Sequence, residues 1–243
     1  MAFKKETSVS DYMTLVTTHE CNRACKWCVD QYRGQKEFIT LKNVNKALAF
    51  AKKNNIKDIL LVGGEPTLHP EIVEIAQESK EQGFNTIMTT NYDFPDKVKA
   101  LDGIVNSLNI SYYGQKHLPS QKDFESDLTL SVLLFKGRFK TKEELDAFIQ
   151  KYQKNFTLKF STLTVCNDWT KEHQDVPFLD QLPAEGIVLF NEIQGQIYNG
   201  HIIKRYDRVV NHFAKQSYKC HVDGEISKSW TRTETIIERD KEQ

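Results

Sequence analysis

Three cysteines, Cys21, Cys25 and Cys28, fall within eight consecutive positions in a C-x3-C-x2-C spacing. Three thiolates on one short loop can converge on a single metal centre. Two chemistries suit them. One is a cubane iron–sulfur cluster, which takes up to four cysteine ligands. The other is a tetrahedral zinc, with His19 or another group as fourth ligand. No fourth cysteine accompanies the three. Three protein ligands leave one metal position open, and an external molecule can bind there. The plainer alternative is three packed thiols acting as small hydrophobes. Asn22, Arg23 and Lys26 stand between and beside them, which suits a polar loop better than a core. The chain has five cysteines in all, the others being Cys166 and Cys220. An odd number with three crowded together is no disulfide framework; it points to metal ligation in a reducing compartment.

The elements that must position this loop alternate in period. Tyr12 to Thr18 is β-branched and apolar and runs straight into the cysteines. Leu41 to Asn54 carries Leu41, Val44, Ala47, Leu48 and Ala51 on one helical face, with Thr40 as N-cap. Asp58 to Val62 ends in a continuous apolar run stopped by Gly63-Gly64, as suits a strand buried in a parallel sheet. A helix is expected from Pro70 to Gln82, with Pro70 in its first turn and Gly83 as its C-terminal cap. Strands are expected at Asn85 to Thr90, Leu108 to Tyr113, Leu128 to Phe135 and Phe156 to Val165. The polar stretch Gly114 to Ser126 reads as a loop. Thr141-x-x-Glu144 is a capping box, opening a helix with Leu145, Phe148, Ile149 and Tyr152 on one face. Gly186 to Ile193 reads as a further strand. Tyr206, Val209, Val210 and Phe213 have helical spacing and suggest a last helix. Alternating strands and helices with six main strands predict an α/β fold, a partial (β/α)6 parallel barrel. Ligands of such sheets gather at the carboxyl ends of the strands, where the cysteines follow strand one.

The chain has 243 residues, 33 Lys plus Arg against 33 Asp plus Glu, and a formal net charge of zero. A phosphate-backbone partner calls for a basic surplus or stripe, so this balance argues against nucleic acid. No apolar run approaches the roughly 20 residues that span a bilayer, and the start lacks the apolar core of a secretory signal. The expectation is a cytoplasmic chain with no membrane partner. No composition shift marks a linker, so residues 1–230 are expected to form one core domain and 231–243 a charged tail that frays.

Cys21-x3-Cys25-x2-Cys28, with aromatic Trp27 before the last cysteine, resembles the motif of the radical S-adenosylmethionine (radical SAM) superfamily. Gly63-Gly64-Glu65-Pro66 after strand two resembles that superfamily's GGEP motif. The likeness runs from about Tyr12 to Tyr113. It implies that Cys21, Cys25 and Cys28 hold a [4Fe-4S] cluster whose open iron takes the amino and carboxylate groups of S-adenosylmethionine. It also implies that Gly63, Gly64 and Glu65 meet that amino group, with Pro66 fixing the turn. Trp27 would lie near the adenine, and Asn91 and Ser111 near the ribose or methionine; a loop-capping asparagine and a sheet serine are the bland alternatives for the last two. The implied activity is reductive cleavage of S-adenosylmethionine and abstraction of a hydrogen atom from a small-molecule or peptide substrate. An external one-electron reductant of flavodoxin or ferredoxin type is implied as partner.

Cys166 and Cys220 are too few for an auxiliary cluster, which takes about four ligands. Either could donate a hydrogen atom to a substrate radical, which would make the chain a peptide epimerase. The plain readings are a packed strand cysteine and a half-buried thiol beside a turn at Asp223-Gly224. Lys159 and Glu192 lie in expected strands and could face a barrel lumen. Arg138, Tyr112 and Tyr113 could touch substrate or simply pack or be solvated, and His69 suits a capping role. Outside the resemblance, a zinc-stabilised binding module and a ferredoxin-like electron carrier remain as other classes. The carrier fails on ligand number and leaves the GGEP segment unexplained.

Overall fold

The computed structural model describes residues 12–30, 32–183, 185–190, 193–209, 217–228 and 235–237. Six parallel strands follow one another in both sequence and space: β1 (Tyr12–Val16), β2 (Asp58–Val62), β3 (Asn85–Thr90), β4 (Ser107–Tyr112), β5 (Asp127–Leu134) and β6 (Thr157–Thr162). The crossovers carry α1 (Leu41–Lys53), α2 (Ile72–Glu81), α3 (Pro95–Lys99) and α4 (Lys142–Tyr152). The β4 to β5 crossover, 113–126, is loop with one 3-10 turn at Gln121–Asp123. This is the expected partial (β/α)6 barrel, one crossover short of a helix.

Local chemistry accounts for the elements. The Thr40 hydroxyl accepts from the Asn43 N–H at 3.2 Å and starts α1. Lys52 and Lys53 complement the dipole in its last turn. Val44, Ala47, Leu48 and Ala51 turn inward and are fully buried. They cover the sheet face formed by Met13, Leu15, Ile59, Leu61 and Met88, also fully buried. Each such side chain contributes about 1.5–3 kcal/mol by leaving water. The alternate strand positions look the other way. There the residues are polar or half-exposed, among them Asn109, Ser111, Thr129, Ser131 and Ser161. The sheet therefore has a dry outer face under helices and a polar inner face.

Beyond β6 the chain departs from the reading of its sequence. The short helix α5 (Asp168–His173) opens on a capping box between Asn167 and Thr170. The expected strand from 186 to 193 is instead the two arms of a hairpin, β7 (Gly186–Phe190) and β8 (Ile193–Tyr198); Glu192 lies outside the described residues. The expected last helix is not formed where it can be seen: Tyr206 and Val209 belong to β9 (His201–Val209), and Val210 and Phe213 lie outside the described residues. An Asn199-Gly200 turn with φ of 48° and 74° folds β8 back onto β9. Such turns force a hairpin, and period two in β9 overrides a coincidental helical spacing. β9 then pairs parallel to β6. On the other edge, β10 (Ser217–Cys220) pairs parallel to β1, and β11 (Ile226–Ser227) and β12 (Thr235–Ile237) follow antiparallel. The tail expected to fray thus contains a short paired strand. In α2 the expected first-turn proline is outside the helix. Pro70 precedes it, because Pro66–Leu68 form a separate 3-10 turn and α2 begins only at Ile72. No described helix is long and apolar enough to cross a membrane.

Candidate active site at the carboxyl ends of the strands

The cysteine loop leaves the end of β1 and lies directly on the loop after β2. Gly64 N–H donates to the Thr18 carbonyl at 2.7 Å and Glu65 N–H to the Glu20 carbonyl at 2.8 Å. The glycines are what allow this contact. A Cβ on Gly63 would fall 2.2 Å from Thr18 O, and one on Gly64 would fall 2.2 Å from Glu20 O. Gly63 also has φ of 153°, which side chains other than glycine's rarely adopt. Main chain therefore rests on main chain with no side chain between. The N–H groups of Gly64 and Glu65 are spent on this contact. The carbonyls of Gly63 and Gly64 accept no bond among the described residues, so they remain available to an ammonium donor.

The loop is tied down at further points. His19, almost fully buried, bonds Asp30 Oδ2 through Nδ1 at 2.9 Å, and its Nε2 is buried with no partner. Arg33 Nη1 donates to the Cys25 carbonyl at 2.6 Å. Cys21, Cys25 and Cys28 are half-buried free thiols. Burial pushes the thiols of Cys21 and Cys28 up, and neighbouring thiolates of the trio push each further the same way. A bound metal takes cysteine ligands as thiolates and so offsets the cost of that burial. Among the described residues no three His, Cys, Asp or Glu side chains gather round one point. Soft sulfur donors with an open neighbouring acceptor pair suit an iron–sulfur cluster and an amino-acid ligand at its free iron.

The loop after β3 forms the second wall. The Glu65 carboxylate is 1 % exposed. It accepts four bonds: from Thr67 N–H at 3.2 Å, Thr67 Oγ1 at 2.7 Å, Thr90 Oγ1 at 2.7 Å and Asn91 N–H at 2.7 Å. Burial raises its pKa, and these donors pull it back down. Glu65 thus joins the ends of β2 and β3. Pro66 is buried and opens the 3-10 turn. Asn91 sends its amide to Asn22 Oδ1 at 2.8 Å, bridging β3 to the cysteine loop. Asp93 completes the bridge. It accepts from Arg23 Nε and Nη2, each at 2.6 Å, from Asn22 Nδ2 at 2.6 Å and from the Tyr113 hydroxyl at 2.5 Å. Burial works against its charge, but the bonds from Arg23, Tyr113 and Asn22 hold its carboxyl below the usual range. The sequence reading missed Asp93, whose only signal was its place after a strand.

Aromatic rings close the side formed by β5 and β6. Trp27 stacks on Phe135 at 5.4 Å between centroids and meets Trp169 at 5.8 Å. The Arg138 guanidinium lies 4.7 Å from the Phe135 centroid and is no freely solvated loop arginine. Cys166 is exposed, and its Sγ donates to the Cys28 carbonyl at 3.5 Å. Asn167 Nδ2 donates to the Lys26 carbonyl at 2.9 Å. The loop after β6 is thereby joined to the cysteine loop.

Other expected residues fall elsewhere. Ser111 stands on the polar inner face, in register with Ser131. Tyr112 packs edge-on against Phe148 at 4.9 Å. His69 is a buried brace: its Nε2 donates to Ile39 O at 2.9 Å while Nδ1 accepts from Glu71 N–H at 3.0 Å. Cys220 is not brought to the site. It pairs in register with Leu15, so it shares the helix-covered face and is fully buried, with its thiol pushed up to about 12 by burial. The turn at Asp223-Gly224 follows it, between β10 and β11, as the plain reading had it.

Six strand ends thus supply one site: the cysteines after β1, the glycines after β2, Asp93 after β3, Tyr113 after β4, Phe135 after β5 and Cys166 after β6. A three-cysteine loop and a GGEP turn thus meet at the carboxyl edge of one parallel sheet. Residues 15–114 match the family model of the Radical SAM superfamily. The family's cofactors are a [4Fe-4S] cluster and S-adenosylmethionine. MJ1632 of Methanocaldococcus jannaschii, which bears the name of a glycyl-radical enzyme activating enzyme, is 32% identical over 115 residues, 46% of this chain and 44% of that protein. The GTP 3′,8-cyclase of Tolumonas auensis is 32% identical over 107 residues, 41% of this chain and 32% of that protein. The matches span less than half the length of these relatives. SuiB of Streptococcus suis, solved bound to precursor peptide SuiA, has the same fold with a TM-score of 0.61 and 12% identity, over 91% of this chain and 60% of that one.

Proposed function

We propose that this chain is a radical SAM enzyme that abstracts a hydrogen atom from a small-molecule or peptide substrate. One observation carries the reading: Gly63 and Gly64 seat the three-cysteine loop on the β2 loop while leaving their own carbonyls open beside it. Cys21, Cys25 and Cys28 would hold the cluster, and the two carbonyls would receive the amino group of S-adenosylmethionine. Together the bound cluster and S-adenosylmethionine supply a hydrogen-abstracting radical. The protein's own residues orient and shield. Glu65, Asn91 and Asp93 fix the walls of the seat. Trp27, Phe135 and Trp169 exclude water from the β5–β6 side, where Trp27 could also meet the adenine. Ser111 faces the lumen that a substrate would enter. An external one-electron reductant of flavodoxin or ferredoxin type and a cytoplasmic setting belong to the same proposal, as does one core domain over residues 1–230.

A peptide epimerase with Cys166 as hydrogen donor is the second reading. The exposed Cys166 thiol beside the Cys28 carbonyl favours it; the buried Cys220 does not contribute. The test is anaerobic reconstitution with iron and sulfide. About four irons per chain and 5′-deoxyadenosine on reduction with S-adenosylmethionine are expected. One bound zinc and no cleavage would overturn the proposal in favour of a zinc-stabilised module.

A further inference from the structure

Arg138 stands at the β5 corner of the site, and two backbone bonds fix the segment that carries it. Arg138 N–H donates to the Phe135 carbonyl at 2.9 Å, closing a four-residue turn in which Gly137 takes a φ of 93°. Lys136 N–H donates to the His173 carbonyl at 2.9 Å and ties the turn to α5. The turn folds the guanidinium back over Phe135, 4.7 Å from its centroid, with Tyr112 at 5.6 Å and Trp27 at 5.8 Å. Trp27 immediately precedes Cys28, so Arg138 lies one ring away from the cysteine loop.

Ring faces attract a guanidinium, but they do not replace oxygen acceptors in the plane of its N–H bonds. Arg138 Nε is buried with no partner. Nη1 and Nη2 reach solvent and also bond no acceptor among the described residues. Burial works against the charge, and arginine does not shed its proton to escape that cost. Carboxylates on adjoining elements hold other donors: Asp30 takes His19, Asp93 takes Arg23 and Tyr113, and Asp146 takes Lys142. Arg23 gives the contrast on the same rim. It lies over the Tyr113 ring and has its carboxylate in Asp93. Arg138 has the rings without the carboxylate. An anion offering two oxygens to the open Nη edge would complete the same arrangement, because the planar fork receives them in parallel.

We propose that Arg138 anchors a carboxylate or phosphoryl group of the substrate through its open Nη1–Nη2 edge, at the β5 corner beside Trp27. That the occupant is a substrate rests on the radical SAM reading; the anion seat stands without it.

The experiment is arginine modification of the reconstituted wild-type protein with phenylglyoxal, followed residue by residue by mass spectrometry. Succinate is present in one arm and inorganic phosphate in another, against chloride at equal ionic strength. Labelling of Arg138 is expected to slow about tenfold in at least one arm, while Arg33 labels at an unchanged rate. The more protective arm names the source of the anionic oxygens. Unchanged labelling of Arg138 in both arms overturns the seat. A third arm holds S-adenosylmethionine with neither anion, and full labelling of Arg138 is expected there. Protection in that arm would assign the fork to the cofactor and overturn the substrate reading. A titration followed by tryptophan emission adds the variants. Arg138→Gln should bind the protecting anion about tenfold more weakly, and Arg138→Lys should fall between, since it keeps the charge without the fork. Wild-type affinity in folded Arg138→Gln also overturns the seat. Formation of 5′-deoxyadenosine by the wild-type protein is followed separately, so a failed radical reading is distinguished from a failed seat.

Discussion

Asp93 grips the Arg23 guanidinium through both carboxylate oxygens, at 2.6 Å each, while the same guanidinium lies 3.4 Å from the Tyr113 ring centroid. Arg23 lies between Cys21 and Cys25, Asp93 follows β3 and Tyr113 follows β4. The pair joins three strand ends, and its planar fork geometry is one that lysine does not reproduce. Asp93→Ala should release the cysteine loop. Amide exchange across residues 21–30 is expected to quicken about tenfold, with only a modest fall in melting temperature because the pair is partly exposed. Unchanged exchange would refute the role.

Gly64→Ala tests the main-chain contact. The added methyl would meet Glu20 O at 2.2 Å, so one of the two loops must move. A loss of about 1–3 kcal/mol of stability is expected, with weaker retention of iron. Chemical denaturation and iron analysis read the two effects. Wild-type values in both would mean that the loops separate freely.

Glu65→Ala removes the acceptor for four donors in a site that is 1 % exposed. Stability should fall by about 2–4 kcal/mol, since buried N–H groups are left unpaired. Glu65→Gln keeps one acceptor oxygen and should lose less. If Glu65 served only to meet a ligand, both variants would unfold like the wild type.

His69 predicts a pH dependence. Its Nδ1 accepts a backbone N–H, so the ring is held neutral, and burial lowers its pKa below the ordinary histidine value. The unfolded chain then binds a proton that the folded one refuses, and stability rises with pH through that interval. The contribution is full above the unfolded pKa and is lost as pH falls toward the folded one. Urea titrations at about pH 5 and about pH 7 should give a steeper loss for the wild type than for His69→Gln. Equal slopes would exclude His69 as the source.

The two remaining cysteines should differ sharply in reactivity. Cys166 is exposed, whereas Cys220 is fully buried with its thiol pushed up to about 12. Thiolate and access together govern alkylation. Iodoacetamide at mildly alkaline pH should label Cys166 in the native protein and reach Cys220 only after unfolding. Native labelling of Cys220 would reopen its case as a substrate-side donor.

The legible part of this protein lies where local and tertiary demands agree. The first six strands, α1, α4 and the cysteine and GGEP segments all stood out because each carries its own periodicity, cap or motif. What escaped depends on distant partners. The inward turn of Glu65 needs Thr90 and Asn91, which nothing near residue 65 announces. Asp93 acquires meaning only when β3, β4 and the cysteine loop meet. Cys220 was ambiguous because a strand's inner and outer faces differ by one residue, and its pairing with Leu15 comes from β1, far back in the chain. The mistaken last helix is different: Asn199-Gly200 is a local hairpin signal that outweighs the spacing of Tyr206 and Val209, and it was there to be read.

The contact of the cysteine loop with Gly63 and Gly64 has a consequence for how this chain tolerates change. Its hydrogen bonds run between peptide groups, and peptide groups are the same whatever residue bears them. The half-buried side chain at Glu20 could be exchanged without altering the donors and acceptors that align the two loops, whereas no side chain at all can be added at residues 63 and 64. A saturation library should therefore be strongly lopsided, permissive on one side of a contact only a few ångströms wide and closed on the other.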